Sequence, residues 1–183
     1  MFVQVVDKEI YLKLVDQNDA ARLFELTDRS RKYLRAWLPW LDDINSVHDT
    51  RRYITESRTS FTQHKSMNTA VVYKEKVVGI AGFNDFDWSN RSGSVGYWLD
   101  QHYTGKGIMM RSVRALVHYG FTELKLNRIE IRAAVENYRS RSIPERLGFV
   151  MEGRIREAEW LYDHFVDHIV YGMLAREWKM PSA

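Results

Sequence analysis

The chain has 183 residues, with 27 Lys+Arg against 24 Asp+Glu for a formal net charge of +3, 45% hydrophobic residues, 10 glycines and 3 prolines. This composition excludes the disordered, collagenous and low-complexity classes, and at about 150 residues per domain it predicts one domain over residues 1–183. The lack of cysteine excludes a disulfide framework, a thiolate metal site and a cysteine nucleophile, and it suits a reducing, cytoplasmic compartment.

So mild a charge does not require nucleic acid, and no direct nucleic-acid partner is expected. Asp7, Lys8, Glu9 and Lys13 interrupt the apolar N-terminal residues, which argues against a signal-peptide core. No stretch nears the roughly 18 apolar residues of a spanning helix, so no membrane association is expected.

In chain order, a first strand is predicted near Ile10–Val15. Asn18 or Asp19 then reads as the N-cap of a helix in which Ala20, Leu23 and Phe24 share a face, running toward Tyr33. Pro39 breaks the Trp37-Leu38-Pro39-Trp40 segment, and Asp49 reads as the cap of a second helix over Thr50–Gln63. Three β-rich runs follow near Thr69–Tyr73, Val77–Asn84 and Gly93–Leu99, joined at Lys74–Lys76 and Asp87–Ser92 into an antiparallel meander. After Gly107, Met109, Val113, Leu116, Val117 and Gly120-Phe121 fall at helical spacing. Ile129, Ile131, Ala133 and Val135 then alternate with Arg128, Glu130 and Arg132 at the period of a strand. A short helix is predicted over Tyr138–Leu147, ended by Gly148 and kinked by Pro144, before two last strands over Phe149–Trp160 and Phe165–Ala175.

Several short patterns bear on chemistry. Thr104-Gly105-Lys106-Gly107-Ile108-Met109 lies between a β run and an amphipathic helix, where backbone N–H groups and the helix dipole can receive a phosphate; an ordinary turn would use the same residues. It lacks the third glycine of a dinucleotide fingerprint and the Gly-Lys-Ser/Thr ending of a P-loop, so NAD and nucleoside triphosphates are not supported. Glu136-Asn137-Tyr138-Arg139-Ser140 follows a strand and reads as a polar N-cap, a role compatible with catalysis. Glu159-Trp160 precedes a turn at Tyr162-Asp163, and a carboxylate beside a large aromatic is either a base of raised pKa or a solvated strand residue.

His164 and His168 are four apart on an alternating segment with no third histidine nearby, so no metal is expected. Arg29, Arg31, Lys32 and Arg35 interleave with apolar residues and read as a solvated helix face rather than a nucleic-acid site. Trp37, Trp40, Phe86 and Trp88 stand beside Asp42, Asp43, Asp85 and Asp87, either as core residues or as the wall of a cation-receiving cleft.

The order of elements, with Gly105-x-Gly107 at the strand-to-helix turn and Asn137-x-x-Ser140 after the next strand, resembles the GNAT acetyltransferase superfamily over essentially the whole chain. Gly96-Tyr97-Trp98-Leu99-Asp100, Gly105-Lys106-Gly107-Ile108, Asn137-x-x-Ser140, Leu147-Gly148-Phe149, Glu152-Gly153 and Glu159-Trp160 are most similar to its RimJ/RimL branch. The resemblance implies an α/β fold whose mixed, mostly antiparallel sheet is flanked by helices and splays open beside the Gly105–Gly107 turn to receive acetyl-CoA. It implies an N-terminal amine, of a ribosomal protein, as acceptor.

Trp98, Leu99, Thr104, Gly105, Lys106, Gly107, Ile108, Met109, Met110, Asn137 and Ser140 are the expected acetyl-CoA contacts, and Trp37, Trp40, Asp85, Tyr97 and Trp160 the expected acceptor contacts. Two departures stand out, because the superfamily pattern Arg/Gln-x-x-Gly-x-Gly/Ala meets Thr104 at its first place and Met109 at its last. The superfamily's frequent general-acid tyrosine falls at Pro144, and in the branch the serine matching Ser140 is thought to serve instead. Homodimers are common in the branch, although no heptad or isolated hydrophobic surface stretch demands one here.

Acetyl transfer needs a neutral amine, and α-amines and lysines have pKa values of about 7.7–8.0 and about 10.4, so a base is useful. Glu159 is the best candidate base, and Ser140 the candidate proton source for the departing thiolate. A main-chain N–H of Tyr97–Leu99 is the implied oxyanion donor. Acetylation of a small amine and non-catalytic acyl-CoA binding remain as alternatives.

Overall fold

Alternating apolar residues and turn glycines build one eight-stranded sheet in the computed structural model, which describes residues 2–179. The elements in chain order are β1 (Val3–Val5), β2 (Ile10–Leu14), α1 (Ala20–Arg29), α2 (Arg31–Arg35), α3 (Val47–Thr62), β3 (Met67–Tyr73), β4 (Lys76–Asp87) and β5 (Ser92–Leu99). After them come α4 (Ile108–Thr122), β6 (Arg128–Ala134), α5 (Tyr138–Arg146), β7 (Val150–Leu161) and β8 (His164–Leu174). The spatial order is β1-β2-β3-β4-β5-β6-β8-β7, and every neighbouring pair is antiparallel except β5 with β6.

Strand β3 explains why helices cover both faces. Successive side chains of a strand point to opposite faces. Val71 therefore enters a core with Val113, Leu116 and Val117 of α4, whereas Ala70 and Val72 enter a second core with Leu23 and Leu26 of α1 and Ile54 of α3. Burial of each such Leu or Ile is worth about 1.5–3 kcal/mol.

The sheet opens in its middle. Strands β5 and β6 pair from Ser92 with Arg128 to Val95 with Ile131 and no further. Beyond Val95, β5 follows β4 as far as Leu99 while β6 follows β8 as far as Ala134, and the gap between them widens toward the N-termini of α4 and α5.

Several local expectations are corrected. Asp19 is the N-cap residue of α1, as expected, but its side chain makes no capping bond there; Asp16 accepts from the Asn18 N–H at 2.8 Å and caps a turn over Gln17–Asp19. Asp19 bonds Lys13 and the Asp16 N–H instead. The first helix breaks at Ser30 rather than reaching Tyr33, because the Ser30 hydroxyl donates to the fully buried Asp100 at 3.0 Å. Ser46 caps α3, with Asp49 as its reciprocal partner in a capping box. Val3–Val5 pair as an edge strand on β2, too short to announce itself by alternation. Helix α5 continues through Pro144.

Candidate active site

Three polar ends converge on the gap between β5 and β6. The first is the Gly105–Gly107 turn. Both glycines have left-handed backbone, φ +78° and +67°, with nothing within 4 Å of where a Cβ would stand, so conformation and not crowding requires glycine. Gly107 is the N-cap residue of α4, and the first-turn N–H groups of that helix have no acceptor within it. The turn is anchored through Asp100, which accepts from the His102 N–H and ring Nδ1, both at 2.9 Å, from Ser30 Oγ and from Arg29. Burial would raise the Asp100 pKa, but these donors outweigh it and hold the carboxyl below its ordinary value.

The second is the free edge of β5. The Asp100 N–H bonds Val78 O at 3.0 Å, and the Trp98 carbonyl faces Gly79 of β4. Main-chain groups alternate in direction along a strand, so the Tyr97 and Leu99 N–H groups point into the gap.

The third is the start of α5. Asn137 Oδ1 accepts the Ser140 N–H at 3.2 Å, fixing the first turn. Tyr97 reaches across from β5, its Oη donating to the Ser140 carbonyl at 2.8 Å, with Ser140 Oγ 3.4 Å from the same phenol. Burial pushes the Tyr97 phenol well above its usual pKa.

Strand β7 closes the far side through an irregularity. Between the pairs Ile155 with His168 and Glu159 with Val166, β7 advances four residues while β8 advances two. The slack bulges at Glu157, whose backbone is left-handed and whose N–H donates to Asp167 at 2.7 Å. The bulge leaves the half-buried Glu159 with its Oε1 3.6 Å from His168 Nε2.

Two cavities flank this point. The smaller, about 490 Å³, runs along Leu99, Thr104, Gly105, Gly107, Ile108, Met109 and Met110. The larger, about 950 Å³, is walled by Trp40, Tyr53, Asp85, Glu159 and His168. Trp37, Leu38, Tyr97, Trp98, Asn137 and Ser140 line both. The Trp40 and Trp98 rings lie 6.1 Å apart in the larger cavity, and burial pushes the Tyr53 phenol up to about 12. Among the described residues, Asp43, Glu56 and Asp85 on its wall form no ion pair; Asp85 accepts only from Ser94 Oγ.

Residues 9–150 match the family described as acetyltransferase (GNAT) domain. The chain belongs to the GNAT acetyltransferases. This GNAT enzyme is 33% identical to YdaF of Bacillus subtilis (strain 168), named as a candidate ribosomal N-acetyltransferase, over 98% of each chain. It is 28% identical to the ribosomal-protein-serine acetyltransferase of Escherichia coli (strain K12), over 92% of this chain and 94% of that one. Among solved structures it is similar to the microcin C7 self-immunity acetyltransferase MccE in complex with acetyl-CoA and AMP. That match has TM-score 0.89 and 26% identity, over 92% of this chain and 94% of that one. The GNAT fold and N-acetyltransferase activity follow, within a group that includes ribosomal-protein acetyltransferases.

Two residues named from the GNAT resemblance are not brought to the cavities. Trp160 alternates to the face opposite Glu159, is 51% exposed and packs edge-on against Phe165 at 4.7 Å, so its indole does not dry Glu159. Lys106 turns outward, its ammonium 5.3 Å above the Tyr103 ring. His168, set aside in sequence as half of a histidine pair, is instead the neighbour of Glu159; only the bulge creates that contact, and no spacing signals it. His164 pairs with Asp163. Of the basic cluster, Arg29, Arg31 and Arg35 are engaged by Asp100, by the carbonyls of Leu41 and Ile44, and by Asp42. Among the described residues, no group of three or more His, Cys, Asp or Glu is placed to hold a metal ion, and no helix is long and apolar enough to cross a membrane.

Proposed function

We propose that this enzyme, one catalytic domain over residues 1–183, transfers the acetyl group of acetyl-CoA to the N-terminal amine of a protein, a ribosomal protein of the cytoplasm. The observation that carries the reading is the set of six residues lining both cavities, Ser140 among them, which supports a donor in one cavity meeting an acceptor in the other beside that serine.

The smaller cavity fits the donor. Its polar groups are the N–H groups at the start of α4, complementary to a pyrophosphate. Thr104 offers no long side chain, and its hydroxyl is engaged by Gln101 O at 2.8 Å. Arg139 and Arg146 of α5 line the same cleft and supply the missing positive charge.

The larger cavity fits a cation-bearing acceptor. Unpaired Asp43, Glu56 and Asp85 among aromatic walls favour an ammonium-bearing peptide. Glu159 accepts the ammonium proton, directly or through a water, and releases it to solvent. The freed amine attacks the thioester carbonyl, while the Tyr97 and Leu99 N–H groups face the developing oxyanion. The carbon–sulfur bond then breaks, its electron pair staying on sulfur. Ser140 Oγ passes the sulfur a proton that is balanced by the second proton lost from nitrogen.

A nucleotide-linked amine is the second reading, favoured by the Trp40–Trp98 pair and by the AMP in MccE. The unpaired carboxylates count against its phosphate. The test is CoA release with a peptide bearing a free N-terminal serine, the same peptide blocked at its N-terminus with a lysine left free, and an aminoacyl nucleotide analogue. Acetate mapped by fragmentation to the α-amine of the first peptide is the expected result. Faster turnover of either other substrate would overturn the assignment.

A further inference from the structure

Proline within a helix removes one donor and presses its ring toward the carbonyl four residues back. In α5 that proline is Pro144, and the carbonyl deprived of its donor belongs to Ser140. On either side the helix is conventionally bonded, Arg141 N–H to Asn137 O and Leu147 N–H to Ile143 O, both at 3.0 Å, and the Phe149 N–H closes its end on Pro144 O at 2.9 Å. Ser140 is half-buried, and a carbonyl left there without a donor is disfavoured. The Tyr97 phenol fills the vacancy at 2.8 Å, arriving from a different element.

We infer that Tyr97 is a positioning residue for Ser140, its hydroxyl replacing the peptide N–H that Pro144 lacks and bracing α5 against β5 across the open sheet. The inference rests on the reading of Ser140 as the group that protonates the leaving thiolate. Tyr97 lies two residues past Val95, the last β5 residue paired with β6, so its bond to α5 spans the gap where direct strand pairing has ended. Its single proton is committed to the Ser140 carbonyl, which leaves its oxygen only as an acceptor toward Ser140 Oγ 3.4 Å away. That long contact keeps Ser140 Oγ at the junction of the two cavities and is given up when the serine proton turns to the leaving sulfur. Because burial raises the phenol's pKa, Tyr97 keeps its proton across the working range and remains the carbonyl's donor.

The test is a double-mutant cycle between Tyr97→Phe and Pro144→Ala, because alanine at 144 restores the N–H that the serine carbonyl lost. With acetyl-CoA and a free N-terminal peptide, Tyr97→Phe is expected to lower kcat about tenfold and to change the acetyl-CoA KM less than about twofold. Pro144→Ala alone stays within about twofold of wild type, and the double variant recovers to within about threefold. In a Ser140→Ala background, Tyr97→Phe should change kcat by less than about twofold, a dependence that a merely structural tyrosine would not show. A kcat for Tyr97→Phe equal to wild type, or a double variant as slow as Tyr97→Phe, overturns the inference while leaving a slow Ser140→Ala intact. A Ser140→Ala enzyme as fast as wild type instead removes the leaving-group role, and this inference with it.

Discussion

The two cavities that meet at Ser140 are made of different material. The smaller takes its anion-facing donors mainly from main chain, namely the first-turn N–H groups of α4, the left-handed turn at Gly105 and Gly107, and the unpaired edge of β5, with the side chains of Arg139 and Arg146 on its rim. The larger takes its polar groups from side chains carried by elements far apart in sequence, from Asp43 and Glu56 through Asp85 to Glu159 and His168. A main-chain site tolerates most side-chain change unless a Cβ or a charge enters it, whereas a side-chain site can be retuned one residue at a time. A donor common to many reactions suits the first kind of construction, and an acceptor that differs between enzymes suits the second.

The comparison breaks first at the residue both cavities share. Ser140→Ala should lower kcat by about 10² to 10⁴ with a much smaller effect on either KM, measured by initial rates with both substrates varied. Equal kcat would return Ser140 to the role of a helix-turn residue capped by Asn137.

On the side-chain half, Glu159→Gln keeps the shape and removes the base. The expected loss in kcat/KM is about tenfold to a hundredfold at pH 7, shrinking toward pH 9–10, where an α-amine of pKa about 8 is neutral without help. Profiles of equal height and shape from pH 6 to 10 would make Glu159 a solvated strand residue.

The main-chain half leans on one buried carboxylate. Asp100 has a lowered pKa in the folded chain, so its bonds contribute stability that is fully present above the ordinary value of 3.8 and is lost as the pH falls through the lowered one. Asp100→Asn should cost about 2 kcal/mol in urea unfolding at pH 7, with the gap to wild type closing below pH 3.8. A gap that does not change with pH would assign the cost to shape and not to charge.

The same contrast explains what was legible in the sequence. Gly105-x-Gly107 before an amphipathic run, Asn137 three residues ahead of Ser140, and the period-two strands are local patterns, and each is found as the turn, helix start or strand it suggests. The capping bonds of Asp16 and Ser46 are not distinguishable by residue type, because Asn18, Asp19 and Asp49, equally good capping types, stand within three residues of them. The neighbour of Glu159 could not be read, because His168 reaches it only through a two-residue bulge that resets the β7–β8 register. The Tyr97 link to Ser140 was equally hidden, since it joins residues 43 apart and depends on an N–H that Pro144 does not have.

The most direct test of a main-chain donor cleft joined to a side-chain acceptor cavity is a two-substrate kinetic matrix for Gly107→Glu and Trp40→Ala. A glutamate at 107 adds bulk and negative charge in front of the α4 N-terminus, and the truncation at 40 removes one of the paired indoles. Gly107→Glu should raise the acetyl-CoA KM more than about tenfold, about 1.4 kcal/mol, and Trp40→Ala should raise the peptide KM by a similar factor, each leaving the other KM within about twofold. If both constants rise together in either variant, the two cavities are not separate binding sites and the account fails.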